Sequence, residues 1–267
     1  MLKDSETEAL DQVGDRSATY PAKVIVVIPA FNSEETIGQV IDHIPRDLVS
    51  EVVVVDDGSR DATYDEALRK KAIVLRHAEN LGYGGAQKTL YREALSRNAD
   101  VVVLLHDDLQ YAPELLPEIT RPIMAGEADV VLGTRQQMLQ GGMPLWRFIG
   151  NRLLTLLENL ALNQDLSEYH TGYRAFSARA LRSVDLSSLS NDFHFDSQIL
   201  FSFVDKGARI AEVRIPTVYG EGSSSITPIK SLKYGFSIIS TILKRLYHSP
   251  SVRRNRRVSF CESSPRS

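Results

Sequence analysis

Five short aliphatic runs, each stopping at a polar or glycine-containing cluster, constrain the fold of this chain more than any other feature. They are Val24–Ile28, Glu51–Val55, Ala72–Arg76, Val101–Leu105 and Asp129–Leu132. The fourth, Val101 to Leu105, is wholly apolar, the pattern of a strand covered on both faces. Helix-forming stretches separate the runs. One opens at Ser33, a good N-cap followed by Glu34 and Glu35, and extends to about Ile44. Asp61 caps a second, Ala62 to Lys71; a third runs from the Gly82–Gly85 loop to about Arg97; a fourth follows Pro113, which suits a first helical turn. Strands alternating with helices imply right-handed crossovers. The expected class is α/β, with a mostly parallel central sheet and helices on both faces.

After Arg135 the pattern changes. Gln136 to Pro144 is a polar, glycine-containing loop, and Trp146 to about Asn163 has the spacing of a long amphipathic helix. A loop from Tyr169 enters a short strand ending at Phe176. Phe195–Lys206 reads as a helix, Ala208–Ile215 as an alternating strand, Tyr219–Ile226 as a Gly/Ser-rich loop and Ile229–Tyr247 as a last helix. This part is expected to form a layer attached on the substrate side, not an independent domain. The expected divisions are a loose lead at 1–20, one domain at 21–227, an amphipathic helix at 228–248 and a basic, disordered tail at 249–267.

Composition narrows the partners. The net charge of −3 over 267 residues gives no general attraction to nucleic acid, although Arg253, Arg254, Arg256 and Arg257 crowd the tail. A single cysteine, Cys261, excludes an internal disulfide framework and fits a reducing compartment. Met1–Ser17 is polar and is not a signal peptide. No run reaches the roughly 18 to 20 apolar residues of a membrane span. The expected location is cytoplasmic.

The polar clusters all fall at the carboxyl ends of the expected strands: Phe31/Asn32, Asp56/Asp57, Asn80, His106 to Gln110, and Arg135. In an open α/β sheet those ends converge on the ligand crevice. Asp56 and Asp57 can accept hydrogen bonds from a nucleoside, or else form a cap and a turn with Gly58 and Ser59. Gly82-Tyr83-Gly84-Gly85 can bring backbone N–H groups to a phosphate, or simply start a helix. His106, Asp108 and Gln110 share a face if the chain stays extended, and can ligate Mg²⁺ or Mn²⁺; the alternative is that the carboxylates cap the next helix. Arg135, Arg147 and Arg174 are candidates to neutralise phosphates.

Four stretches together resemble glycosyltransferase family 2, which has the GT-A fold. They are Val27-Ile28-Pro29-Ala30-Phe31-Asn32-Ser33-Glu34-Glu35, the Val54-Val55-Asp56-Asp57-Gly58-Ser59 turn, Asn80-Leu81-Gly82, and Asp108-Leu109-Gln110-Tyr111-Ala112-Pro113-Glu114. Gly133-Thr134-Arg135, Thr171-Gly172-Tyr173-Arg174-Ala175-Phe176 and Ile215-Pro216-Thr217 are similar to the dolichol-phosphate mannosyltransferase and polyprenyl-phosphate glycosyltransferase branch. The resemblance covers roughly Val24 to Ile226.

It implies inverting transfer of a hexose from a nucleotide-diphosphate sugar, of GDP-mannose or UDP-glucose type, to a polyprenyl-phosphate-like acceptor. Pro29, Phe31, Glu34, Asp56 and Gly82 would hold the nucleoside, joined by Asp57, Asn80, Lys88 and Asp107. Asp108 and Gln110, with His106, would ligate Mg²⁺ or Mn²⁺ on the diphosphate. His106 stands where the family's D-x-D motif has its first aspartate. Asp108, Arg135, Arg147 and Arg174 would form the catalytic set. The last helix and the basic tail would lie peripherally on the inner face of an anionic membrane. Two alternatives stay open. One is transfer to a soluble or glycan hydroxyl, with Glu168 the nearest base in sequence. The other is a catalytically silent nucleotide-sugar-binding protein.

Overall fold

The computed structural model describes residues 22–135, 143–216 and 235–243. The expected lead at 1–20, the loop at 136–142, the Gly/Ser-rich loop, the tail and most of the last helix lie outside the described residues; within that helix, 235–243 are helical.

The strands are β1 (Val24–Ala30), β2 (Glu51–Asp56), β3 (Ile73–Arg76), β4 (Val101–Leu104), β5 (Val130–Arg135), β6 (Arg174–Ser177) and β7 (Ile210–Ile215). The helices are α1 (Ile37–Asp42), α2 (Thr63–Arg69), α3 (Tyr83–Ser96), α4 (Leu116–Met124), α5 (Leu145–Leu162), α6 (Ala178–Arg182) and α7 (Phe195–Asp205). One seven-stranded sheet runs in the order β3-β2-β1-β4-β6-β5-β7. β6 alone runs antiparallel to its neighbours β4 and β5. The later part is therefore not an attached layer: β6 sits inside the sheet and β7 extends it in parallel with β5.

Both faces of the sheet are covered. Ile25 and Val27 of β1 join a cluster with Leu90, Phe176, Phe195 and Phe203, while Val24, Val26 and Ile28 pack with Ile37, Ile41, Leu116 and Ile119. Continuous apolar strands are the consequence.

The sequence places the stop of the first strand at Pro29, but β1 continues through it. Pairing with β2 extends to Ala30 opposite Asp56, whereas pairing with β4 ends at Val27 opposite Leu104, with Leu105 N–H donating to Val27 O at 3.1 Å. Alternation along the strand turns the nitrogen of Pro29 toward β4, where it has no hydrogen to donate. The ladder ends there, and the chain after Leu105 leaves the sheet. The strand order also reverses between β1 and β4, the switch point where such sheets bind ligands.

Ser33 does not cap α1. That helix begins at Ile37, and Ser33 supplies its carbonyl to Thr36 and Ile37 N–H. The loop after β1 is instead tied to the loop after β2. Glu34 N–H donates to Asp61 Oδ2 at 3.1 Å, and Ala62 N–H donates back to Glu34 Oε2 at 2.8 Å.

Candidate active site

The carboxyl ends of β1, β2, β4 and β5 open on one cleft of about 990 Å³. Of the expected residues, Pro29, Phe31, Asp57, Asn80, Gly82, His106, Asp107, Asp108, Gln110, Arg135 and Arg147 line it. Glu34, Asp56, Lys88 and Arg174 do not.

Those four hold the frame. Glu34 latches the start of α2 through Ala62 N–H. Asp56 is wholly buried, with Oδ1 accepting from Ser59 N–H at 2.9 Å and Oδ2 3.1 Å from Arg76 Nε. Lys88 donates to Leu189 O and, at 2.9 Å, to Asn191 Oδ1. Arg174, expected to meet a phosphate, is wholly buried among carbonyls instead: Nε donates to Thr171 O at 2.7 Å, Nη1 to Asp196 O at 3.1 Å and Nη2 to Tyr169 O at 2.8 Å. These bonds fix the segments entering β6 and α7.

Asp57 reaches the cleft wall but is internally engaged. Oδ1 accepts from Leu81 N–H at 2.9 Å and lies 2.6 Å from His77 Nδ1; Oδ2 accepts from Gly82 N–H at 3.0 Å. The glycine loop does not offer its amides to a phosphate. Gly84 and Gly85 N–H donate to Asn191 O at 2.7 and 3.3 Å. The fit explains the glycines: a Cβ on Gly82 (φ +88°) would stand 2.7 Å from Asn191 O, and one on Gly84 2.5 Å from Ser190 O.

At the end of β4 the chain turns and does not stay extended. Leu109 adopts φ +57°, and Asp108 Oδ1 accepts from Gln110 N–H at 3.1 Å. A non-glycine residue in that region carries strain of about 1 kcal/mol or more, which tends to persist where a site needs the geometry. The turn, not strand alternation, brings Asp108 and Gln110 to the same cleft. Asp107 Oδ2 accepts from Phe31 N–H at 3.3 Å, bridging the switch point. Burial pushes the Asp107 carboxyl above its usual range, opposed by Ser33 and the charge of His106.

His106 Nε2 is 2.8 Å from the Tyr83 hydroxyl, which donates to Asp196 Oδ2 at 3.2 Å. The hydroxyl has one hydrogen. With it on Asp196, the contact with His106 needs a proton on Nε2. Burial, then the charge of Asp196, raise the Tyr83 phenol well above its ordinary range.

Among the described residues no three His, Cys, Asp or Glu side chains form a closed metal cage. Asp108 and Gln110 supply an open half-shell of oxygens. That donor set fits a hard divalent ion that keeps waters and takes substrate phosphates as its other ligands.

Arg135 forms a buried pair with Glu168: Nε donates to Oε1 at 2.8 Å, Nη2 to the same oxygen, and its backbone N–H to Oε2 at 3.2 Å. Burial works to raise the Glu168 carboxyl, but the charge and hydrogen bonds of Arg135 outweigh it and hold the carboxyl below its usual range. Glu168 is thus neither exposed to the cleft nor poised as a base. Arg147 has no carboxylate partner among the described residues and lines the cleft mouth beside Trp146.

Sequence reasoning missed Tyr83, Tyr111, Trp146, Asn151, His170, Asp192, Phe193, Asp196, Gly235, Phe236 and Ile239, all on the cleft wall. Most come from helix starts or from the segment before β6, which a rule about residues following strands does not reach. The acidic and aromatic cluster Asp192-Phe193-His194-Phe195-Asp196 ahead of a helix was the available signal.

α5 is amphipathic in an inverted sense. Asn151, Thr155 and Glu158 face the protein beside Leu154 and Leu162, while Leu145, Ile149, Leu153, Leu156 and Leu160 are exposed along the other side, Leu160 at 72%. The stripe begins at the cleft mouth and adjoins residues 235–243, where Phe236, Ile239 and Leu243 are also exposed. Among the described residues no helix is long and apolar enough to cross a membrane.

Known proteins share these features. Residues 25–185 match the family described as Glycosyl transferase family 2. An undecaprenyl-phosphate mannosyltransferase of Micrococcus luteus is 33% identical over 213 residues, 74% of this chain and 85% of that protein. A UDP-N-acetylglucosamine–dolichyl-phosphate N-acetylglucosaminyltransferase of Methanococcus voltae is 28% identical, over 82% of this chain and 94% of its own. Among solved structures, glucosyl-3-phosphoglycerate synthase of Mycobacterium tuberculosis, in complex with Mn²⁺ and UDP-glucose, superposes with a TM-score of 0.67 at 26% identity, covering 89% of this chain and 88% of that one.

Proposed function

Because this chain belongs to glycosyltransferase family 2 and has the GT-A fold, and is therefore a glycosyltransferase, we propose that it moves a hexose from a nucleotide-diphosphate sugar to a polyprenyl-phosphate-like lipid at a membrane surface. The observation that carries the acceptor reading is inverted α5. A stripe of exposed leucines and isoleucine starting at the cleft mouth suits a lipid chain or the membrane that holds it, and exposed apolar patches of this kind mark interaction sites. Arg147, at the same mouth, suits the lipid phosphate. Relatives named for undecaprenyl and dolichyl phosphates support the same acceptor class.

On the donor side, exposed Phe31 offers an aromatic face to a base, beside Asn80 and Gly82. Asp108 and Gln110 would hold Mn²⁺ or Mg²⁺ against the diphosphate. When bound, the ion supplies Lewis-acid stabilisation to the departing nucleoside diphosphate. Asp107 ties the metal-binding turn to the nucleoside loop through Phe31 N–H. Arg135, fixed by Glu168, contributes a set positive charge to the wall.

The test is transfer from UDP- and GDP-hexoses to farnesyl phosphate and to farnesol, with Mn²⁺ or Mg²⁺, read by mass spectrometry. Glycosylated farnesyl phosphate that disappears in Asp108→Ala is the expected result. If no nucleotide sugar raises the melting temperature with either ion, the donor reading fails.

A further inference from the structure

α5 contains one glycine, Gly150, inside a helix, where glycine is less favourable than alanine. A glycine is needed where φ is positive or where a neighbour leaves no room for a side chain. Gly150 meets neither condition. It is helical, and a Cβ added there would find no heavy atom within 4 Å beyond its own helix backbone and chain neighbours. Among the described glycines it alone combines an ordinary φ with open space. That space is the cleft, which Gly150 lines.

The cleft is apolar on both sides of Gly150. Trp146, Gly150, Leu153 and Leu154 stand at i, i+4, i+7 and i+8 of α5, a single strip of the helix, and all four line the cleft. Gly235, Phe236 and Ile239 line it from the helical stretch at 235–243. A Cβ on Gly235 would lie 3.9 Å from Leu154 Cδ2, and Ile238 and Ile242 anchor that stretch in the core. The α5 wall is fixed as well. Asn159 accepts from Leu166 N–H and donates to Leu166 O, both at 2.9 Å, and accepts from the Tyr169 hydroxyl at 2.9 Å. Stapled in this way, α5 is held against the segment before β6. Leu153 belongs both to the cleft strip and to the exposed stripe, so this apolar annex opens onto the outer surface of α5.

We propose that the annex takes the first isoprene units of the acceptor, and that Gly150 is a specificity-determining residue because its missing side chain leaves them room. The inference rests on the reading of the acceptor as a prenyl phosphate. The complementarity is that of an amphiphile: the phosphate at Arg147, and the hydrocarbon chain between α5 and the stretch from Gly235. The cavity is continuous, so the same ligand reaches both ends. A soluble hydroxyl acceptor would gain nothing from these walls and would leave their apolar surface in water. Burying one methylene changes affinity about fourfold, so chain length should be strongly discriminated up to the point where the annex is full.

The experiment measures kcat/KM for isopentenyl, geranyl and farnesyl phosphates, with Mn²⁺ and saturating donor, in the native enzyme and in Gly150→Ala and Gly150→Leu. In the native enzyme the value should rise about 100-fold from isopentenyl to farnesyl phosphate. Gly150→Leu should lower that ratio about tenfold, and Gly150→Ala by less. The ratio is the readout because damage to folding or to donor binding scales both acceptors alike. Melting curves are the control, and a side chain added to a helix in open space should not lower the melting temperature. A native ratio near one, as when a second copy or another segment of the chain fills the annex, overturns the proposal. So does a ratio unchanged in Gly150→Leu. In both cases transfer to prenyl phosphates leaves the acceptor reading standing. Dodecyl phosphate used as well as farnesyl phosphate would overturn the isoprenoid identity of the chain. If the donor still raises the melting temperature but no prenyl phosphate of any length is glycosylated, the acceptor reading falls, and this proposal with it.

Discussion

Gly172 and His106 fit each other: a Cβ on residue 172 would stand 2.1 Å from His106 Cε1 and 2.7 Å from Nδ1. The imidazole at the end of β4 is seated on bare backbone, and Gly172 N–H in turn donates to the Tyr111 hydroxyl at 3.0 Å. Gly172→Ala must displace the ring from Tyr83 or move the backbone ahead of β6. The expected outcome is a loss of about 2 kcal/mol in stability and weaker Mn²⁺ binding in the presence of UDP, measured by calorimetry.

Arg174 tests the scaffold role. Replacing it by Ala removes a donor from each of three carbonyls and the cation beside the Asp196 carboxylate, and opens a cavity where a wholly buried side chain lay. A loss of about 3 kcal/mol or more is expected in urea unfolding. Arg147→Ala should leave stability within about 0.5 kcal/mol, as for exposed positions, and raise the KM for the lipid phosphate at least tenfold.

Asp129 governs acid stability. Hydrogen bonds from Arg209, then from Arg179, hold its carboxyl well below the usual carboxylate range against the opposing effect of burial. A depressed native pKa stabilises the folded state above the unfolded value of about 3.9 and loses that contribution as pH falls toward the native value. The melting temperature should therefore drop below about pH 4. Asp129→Asn should melt about 2 to 4 °C lower at pH 7, with both arginines largely solvated, and show a shallower decline in acid.

The α5 stripe is separable from the chemistry. Leu156→Glu with Leu160→Glu changes exposed side chains distant in sequence from Trp146 and Arg147. The double variant should melt like the native protein and hydrolyse donor at the native rate, yet lose most binding to vesicles carrying farnesyl phosphate, scored by co-sedimentation. Unchanged sedimentation would remove the lipid-facing role of this helix.

The cleft wall at the strand ends was legible because it obeys one rule: a continuous apolar strand ends, and the next few residues face the crevice. Asp57, Asn80, Asp107 and Asp108 were located that way. The rule does not distinguish a side chain aimed at ligand from one engaged by the frame. Asp56, Lys88 and the Gly84–Gly85 amides are of the second kind. The partners of Lys88 and of those amides lie about a hundred residues away, at 189–191, where no local pattern points to them. The inverted helix shows a related limit. A period of 3.6 residues reveals two unlike faces in α5, but only the packing of Glu158 against His170 says which one turns inward.

The reversed direction of β6 has a consequence for how the cleft is assembled. β4 and β5 beside it deliver to the cleft residues that come after them; β6 delivers residues that come before it, His170 and Gly172. The cleft is thereby lined by separate stretches of chain, one dispersed over the loops that follow parallel strands and one a single peptide between α5 and β6. On the function proposed above, exchanging that peptide together with the helix stapled to it would alter acceptor preference while leaving Asp108, Gln110 and the loops around Phe31 and Asn80 untouched.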